Sequence, residues 1–380
     1  MSLFIEFHLI QNFAPSNLNR DDTGAPKDAM FGGYRRARVS SQCFKRAIRL
    51  ATRDQKMIEP EFQGVRTKKL KQLIEEELKK YEHSEAESRI EVALSAAGLK
   101  LKDDGKTEYL LFLGQTEIIG FAELIHRHWE ELAGAVSSGE KKGKKESKAN
   151  APVEVVKQAK ALLNGGKAVD VALFGRMLAD LPEVNQYAAC QVAHAISTHR
   201  VDLEFYYFTA VDDMGSPDET GAGMIGQIEF NSATFYRYAV IDAHKLLANL
   251  QQDKTLTLAA IEAFAQAVAR AIPTGKQNTF AAHNLPGFVG VTLRHGSPLN
   301  LANAFEKPVA ARQDKALTSL SVEAMATHEV ALAGAYADDR DTWGYLDLTG
   351  AWPRDKGTAF SNMSDLARWV KQQAEKHLEG

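Results

Sequence analysis

Hydrophobic residues alternate with polar ones at the start of the chain. Leu3, Ile5, Phe7 and Leu9 fall on one side of Glu6 and His8, the period-two pattern of a half-buried strand. A polar stretch rich in Gly, Asp, Asn and Pro follows, NLNRDDTGAPKDAMFGGYRRARVSS, and reads as a long loop. The pattern then changes period. Ser40 or Ser41 caps a helix through QCFKRAIRLA, in which Phe44, Ala47, Ile48 and Ala51 share one face at i, i+3, i+4, i+7 spacing. Gln42, Lys45, Arg46 and Arg49 fall on the opposite face. From about Lys56 to Trp129 the pattern is charge-rich and helical, as in TKKLKQLIEEELKKYEH. After it come a helix near Val153 to Leu163, strand-like VDVALFGRM, a helical or extended AACQVAHAIS, and strand-like VDLEFYYFTAVDD. The segment MGSPDETGAGMI has the Gly, Pro and Asp of a long turn, so FYYFTAVDD and GQIEFNSATFYRYAVID form an extended hairpin. A helix from about Leu256 to Ala271, an extended FVGVTLRH and C-terminal helices complete the pattern.

Reduced to its core, the order is strand, helix, strand, strand, helix, strand. This predicts an α+β fold with a ferredoxin-like, RRM-like sheet, interrupted by a helical insertion and a long β-hairpin. The expected division is 1–55 and 151–310 for the sheet domain, with the hairpin at about 200–240. Residues 56–150 form the helical insertion, and 311–380 form a C-terminal helical part packed on the sheet.

Composition adds limits. The 380 residues are 44% hydrophobic and 25% charged, ordinary for a globular chain with a sizeable core. No apolar run approaches the roughly 18 residues of a membrane span, and the opening lacks signal-peptide features. A soluble, cytoplasmic protein without a membrane partner is expected. Two cysteines, Cys43 and Cys190, are too few for a disulfide framework or a cysteine-based zinc site. The net charge of −3 argues against a polyanionic partner, but its distribution does not. Between Arg20 and Arg49 eight Lys and Arg stand against three Asp, a local balance of 8 − 3 = +5. A second concentration, Lys141, Lys142, Lys144, Lys145 and Lys148, lies in SSGEKKGKKESKAN.

The ordered set of motifs NRDD (19–22), KDA (27–29), FGG (31–33) and RRARVSSQ (35–42), followed by Lys45-Arg46, resembles the CasC-type backbone subunits of type I-E CRISPR Cascade complexes. FGRM (174–177), HAISTH (194–199), FTAVDD (208–213), FYRY (235–238), GKQNTFAA (275–282) and LANAFEKPV (301–309) agree in order. The resemblance covers residues 3 to about 310. It implies a palm, helical fingers and a hairpin thumb, and copies of the chain stacked along the spacer of a guide RNA. The implied partners are the CRISPR guide RNA, a target DNA strand, other copies of the chain and other Cascade subunits. No cofactor, metal or catalytic residue is implied.

A guide must be held whatever its sequence, so contacts should go to phosphate and ribose, leaving base edges free. By resemblance Arg20, Lys27, Ser40, Gln42, Lys45, Arg46 and Arg49 form the RNA-facing surface, with Lys276 near the RNA and Met177 suited to pack on an exposed base. Met214, Met224 and Ile225 are candidates for displacing bases at the hairpin tip. The lysines of the 141–148 run are candidates for touching duplex DNA. Enzyme readings compete. Asp21, Asp22, Asp28, Asp212 and Asp213 could hold the metal of a nuclease, yet turn capping or pairing with nearby arginines is the stronger reading for them. His194 with His199 could act as acid and base, and His126 with His128 could hold a metal. A free-standing RNA-recognition domain would instead need exposed aromatics, for which Tyr206, Tyr207, Phe235 and Tyr236 are the candidates.

Overall fold

The computed structural model describes residues 3–133, 151–163, 166–178, 181–210 and 224–378. The chain divides into two compact units. The first comprises 1–55, 190–244 and 258–380, and the second 56–189 with 245–257. The second unit therefore continues past residue 150, where the sequence pattern placed the end of the insertion.

The strands are β1 (Phe4–Ser16), β2 (Asp28–Phe31), β3 (Tyr34–Val39), β4 (Gly64–Thr67), β5 (Leu111–Gly114), β6 (Cys190–Val192), β7 (Ala195–Ser197), β8 (Glu204–Ala210), β9 (Met224–Asp242), β10 (Phe288–Arg294), β11 (Thr342–Asp347) and β12 (Thr358–Ala359). In the first unit they form one mixed sheet of order β12-β11-β10-β1-β9-β7-β3-β2, with β6 and β8 also paired to β9. Helix α1 (Ser41–Asp54) follows β3, and a helix at Lys254–Arg270 precedes β10. The core elements β1, α1, β7, β9, Lys254–Arg270 and β10 keep the expected alternation, and β1 runs antiparallel to both β9 and β10.

The half-buried reading of β1 is corrected: Glu6 and His8 are as buried as Ile5 and Phe7. A hydrophobic cluster covers their face, in which Val322, Met325 and Ala326 of the Leu317–Tyr336 helix join Tyr236, Tyr238 and Trp343 of the sheet itself. Polar groups survive there because they are paired. Glu6 Oε2 accepts from Arg294 Nε at 2.6 Å, its Oε1 accepts from the Tyr238 hydroxyl at 2.9 Å, and Arg294 reaches Asp341 at 2.9 Å. His8 Nδ1 meets the Tyr236 hydroxyl at 2.9 Å, with the imidazole stacked on Trp343.

This network makes stability pH-dependent. Burial pushes the Glu6 carboxyl up, but hydrogen bonds and charge attraction from His8 and Arg294 outweigh it, leaving it below its ordinary value. Burial holds the His8 imidazole below its ordinary value. Both groups bind fewer protons folded than unfolded, so their contribution is present above the unfolded values of 6.5 and 4.5 and is lost as pH falls through the lower folded ones. Urea midpoints measured from pH 8 to pH 4 are expected to fall below about pH 6.5 and again below about 4.5. A midpoint rising toward acid would contradict this.

Three other segments differ from their sequence pattern. The loop after β1 contains the β2–β3 hairpin, whose turn uses Gly32 and Gly33 at φ 58° and 82°, the double positive φ of a two-residue turn. Its inward Arg36 looks unsuited to a strand until its guanidinium is seen to donate to the carbonyls of Ser197, Phe305 and Glu306 at 2.9, 2.7 and 3.1 Å. Strand-like VDVALFGRM instead opens as a helix, Val169–Phe174, with Val169, Val171, Ala172 and Leu173 buried. A short apolar run buried all round has no face to betray its period. The C-terminal part is not purely helical, because β11 pairs with β10 and extends the sheet.

In the second unit, helices at Leu70–Leu78, Glu87–Ala96, Gln115–Arg127 and Val153–Leu162 surround a core of residues such as Leu70, Ile74, Ile90, Phe121 and Ile125. A two-stranded sheet, β4 with β5, joins them. The extended hairpin of the sequence pattern is present at its stem, where Glu204 to Ala210 pair antiparallel with Phe230 to Met224.

Candidate nucleic-acid interface

Ser40 opens α1 with extended backbone, and its Oγ accepts from Cys43 N at 3.3 Å. This caps one of the free N–H groups of the first turn. Ser40 N donates to the Asn19 side chain at 2.9 Å, and Lys27 N donates to Asn19 O at 2.9 Å. Asn19 thus ties the polar loop to the helix start. Phe44, Ala47 and Ile48 are buried, while Gln42 and Arg46 are exposed and Lys45 and Arg49 half-buried. Beneath the helix the Arg237 guanidinium lies 4.0 Å from the centre of the Phe44 ring and donates to Gln11 Oε1 at 2.5 Å and Val268 O at 2.6 Å. Burial pushes its pKa down to about 9, so it stays charged at neutral pH. Arg237 thus joins β9 to β1 and to the Lys254–Arg270 helix directly under the buried face of α1.

The loop carrying Arg20 is also fixed. Asp21 accepts from Thr23 N, Thr23 Oγ1 and Ala25 N at 2.8 to 3.0 Å, and the Thr23 hydroxyl with these amides holds its carboxyl below the ordinary value. Asp28 pairs with Arg35 at 3.1 Å. Two of the acids that a nuclease reading requires are therefore engaged locally.

Gly275 sits against this loop, and a Cβ there would collide with the carbonyl oxygens of Leu18 and Asn17. Only glycine permits this approach. The result is an open cleft of about 550 Å³ lined by Asn19 to Gly24, Cys43, Arg46 and Pro273 to Gly275. Lys276 follows directly, in left-handed backbone at φ 50°. Lys27 and Arg46 both act on Cys43, whose thiol burial nevertheless pushes up. Arg20 and Arg46 thus line the cleft, Lys276 follows its Gly275 wall in the chain, and Lys27 and Ser40 are tied to the cleft residues Cys43 and Asn19. Lys45 lies toward Cys190, whose thiol burial pushes up to about 12. Gly275→Val is expected to cost about 1–3 kcal/mol by overpacking this approach, read as a lower urea midpoint. An unchanged midpoint would show that the loop yields freely.

Sequence reasoning did not assign a role to Arg38 beyond its charge. Its Nε donates to Asp28 O at 2.9 Å, and its Nη1 lies 3.2 Å from His194 Nδ1. Burial, with Arg38 and Lys27, holds the His194 imidazole below its ordinary value. The basic surface therefore continues from α1 onto β3. The alternation of YRRARV could have located it, had the stretch been read as a strand.

Met177 belongs to the second unit and is 84% exposed, next to Arg176, which is buried in an ion pair with Glu117 at 2.8 Å. Met224 and Ile225 open β9 opposite Ala210 and Thr209. Met214, Asp212, Asp213 and the lysines at 141, 142, 144, 145 and 148 lie outside the described residues. The paired histidines are arranged differently from the metal and acid–base readings. His126 meets His83 at 2.9 Å while His128 meets Glu131. His199 Nδ1 lies 2.8 Å from Arg200 O, and its Nε2 accepts from Thr234 N. Among the described residues no group of three or more His, Cys, Asp or Glu could hold a metal ion. Phe235 and Tyr236 are buried, whereas Tyr207 is 67% exposed beside Phe205 on β8. No helix among the described residues is long and apolar enough to cross a membrane.

Residues 5–371 match the family described as CT1975-like protein. The chain belongs to the CT1975-like protein family. A solved chain of a "CRISPR RNA-guided surveillance complex, pre-nicking" is similar at 27% identity and TM-score 0.82, over 98% of this chain and 100% of that one. A chain of a "CRISPR RNA-guided surveillance complex" shares the fold at 24% identity and TM-score 0.73, over 97% and 99%. No curated protein matches. The mixed sheet and helices of this CT1975-like protein thus extend over nearly the whole length of both solved chains.

Proposed function

We propose that this CT1975-like protein is an RNA-binding backbone subunit of a type I-E CRISPR surveillance complex, in the cytoplasm, holding guide RNA by its sugar-phosphate chain. The observation that carries this reading is the cleft at α1, lined by Arg20 and Arg46 from two separated segments and by the Pro273–Gly275 loop that leads into Lys276, with Asp21, which also lines it, already engaged in its own turn. The solved chain at 27% identity, named for an RNA-guided complex, supports it. Arg and Lys neutralise phosphates, while the capped start of α1 and Gln42 offer neutral donors to phosphate or the 2′-hydroxyl. Such contacts do not depend on base identity. Copies lie side by side along the RNA, and the thumb hairpin reaches from one to the next. Met214, Met224 and Ile225 supply the residue that displaces a base, Met177 packs on one, and the lysines at 141–148 meet target DNA.

The chain holds RNA without cutting it. Asp21 is engaged as a turn cap and Asp28 as an ion-pair partner, which supports the nonenzymatic reading. Two unrelated single-stranded RNAs of equal length should bind with affinities within a few-fold and stay intact with divalent metal added. A preference of about 10²-fold for one sequence would favour a sequence-selective recognition domain, since each wrongly read base costs about 1–3 kcal/mol. Cleavage would favour a metal-dependent ribonuclease.

A further inference from the structure

A second cleft of the first unit, about 330 Å³, lies away from α1 and is lined by Tyr34, His199, Arg200, Lys307 to Ala311 and Leu317. Its walls are fixed from the backbone up. The glycine turn brings Phe31 opposite Tyr34, and any Cβ on Gly32 would collide with the backbone of Glu306. Arg36, buried behind the hairpin, ties that same backbone to β7, and Val309 N donates to Thr198 O at 2.9 Å. Three segments distant in sequence are thereby locked around one concavity.

Its chemistry divides cleanly. Tyr34 is 46% exposed, Pro308, Val309 and Leu317 are apolar, and Lys307 and Arg200 are exposed cations. No acid lines the cleft. Asp202 pairs with Arg200 at 2.9 Å, but both are exposed, and such a pair yields readily to a stronger anion. His199 is occupied by Arg200 O and Thr234 N and adds no charge. An aromatic face, an apolar floor and a cationic rim match a planar base that carries a phosphate. The size suits one nucleotide.

We propose that this cleft is a second nucleotide site, taking one unpaired nucleotide of single-stranded RNA with its base on Tyr34 and its phosphate between Lys307 and Arg200. The inference deepens the RNA-binding reading, yet it is tested without RNA. Adenosine 5′-monophosphate, ribose 5-phosphate and inorganic phosphate are titrated separately into the full chain with carbon-13 tyrosine rings, Tyr34 being assigned through Tyr34→Phe. Adenosine 5′-monophosphate should move the Tyr34 signals and bind about tenfold more tightly than ribose 5-phosphate, the stacking increment of one base. Lys307→Ala should weaken it by about tenfold without altering the other tyrosine signals.

Equal affinity for all three ligands would reduce the cleft to an anion site and overturn the proposal. So would silent Tyr34 signals, or Tyr34 signals moved by an acidic peptide and not by the nucleotide. Failure of the α1 reading is separable. If Lys45→Ala with Arg46→Ala left RNA binding intact while the nucleotide still moved Tyr34, the α1 site would fall and this one stand. Loss of RNA binding with Tyr34 silent would have the opposite meaning.

Discussion

Replacing Arg20, Lys45 and Arg46 together by alanine should weaken binding of single-stranded RNA by roughly 10³-fold or more at moderate salt, since charge-assisted hydrogen bonds contribute about 1.5–3 kcal/mol each. The salt dependence carries the sharper signature. Each phosphate neutralised on a single strand adds about 0.7 to the slope of log affinity against log salt, so losing three contacts should flatten it by about 2. Alanine is the best helix former, so α1 should persist and circular dichroism should not change. Gln42→Ala provides the contrast. A neutral hydrogen bond to phosphate or ribose is worth about 0.5–1.5 kcal/mol, so affinity should drop a few-fold with the slope unaltered. A triple variant that kept its slope would show that α1 does not meet the backbone.

The second large effect concerns stability. Glu6→Ala leaves Arg294 buried with half its partners gone, and removing one member of a buried pair costs about 3–5 kcal/mol. Arg294 keeps Asp341 at 2.9 Å, but the Tyr238 hydroxyl and Leu299 N lose their acceptor as well. Chemical denaturation should show the loss as a lower midpoint at nearly constant m-value. In a double cycle, Glu6→Leu with Arg294→Met should cost less than the sum of the single changes, because neither Glu6 nor Arg294 is then buried without the other, while the loss at Asp341 is common to the single and double Arg294 variants. Strict additivity would mean the two side chains are not coupled.

Much of the architecture was legible because its signals are local. The cap at Ser40, the division of α1 into buried Phe44, Ala47 and Ile48 and exposed Gln42 and Arg46, and the hairpin joining β8 to β9 all follow from spacing within a few residues. What escaped depends on partners remote in sequence. Glu6 and His8 mark a solvent face until the Leu317–Tyr336 helix covers them. Arg36 reads as a loop cation until the carbonyls of Ser197 and Phe305 receive it. β11 has only six residues and depends on β10 for its pairing. The cations on and around α1 were visible in composition and motif, but the cleft was not, since its wall is the contact of Gly275 with Leu18.

On the proposed function, several copies of this chain assemble along one RNA by gripping its backbone. Native mass measurement of the full chain with two unrelated single-stranded RNAs, one twice the length of the other, tests it most directly. Complexes are expected in which the number of protein copies doubles with RNA length, whatever the sequence. A single copy on both RNAs would contradict the account.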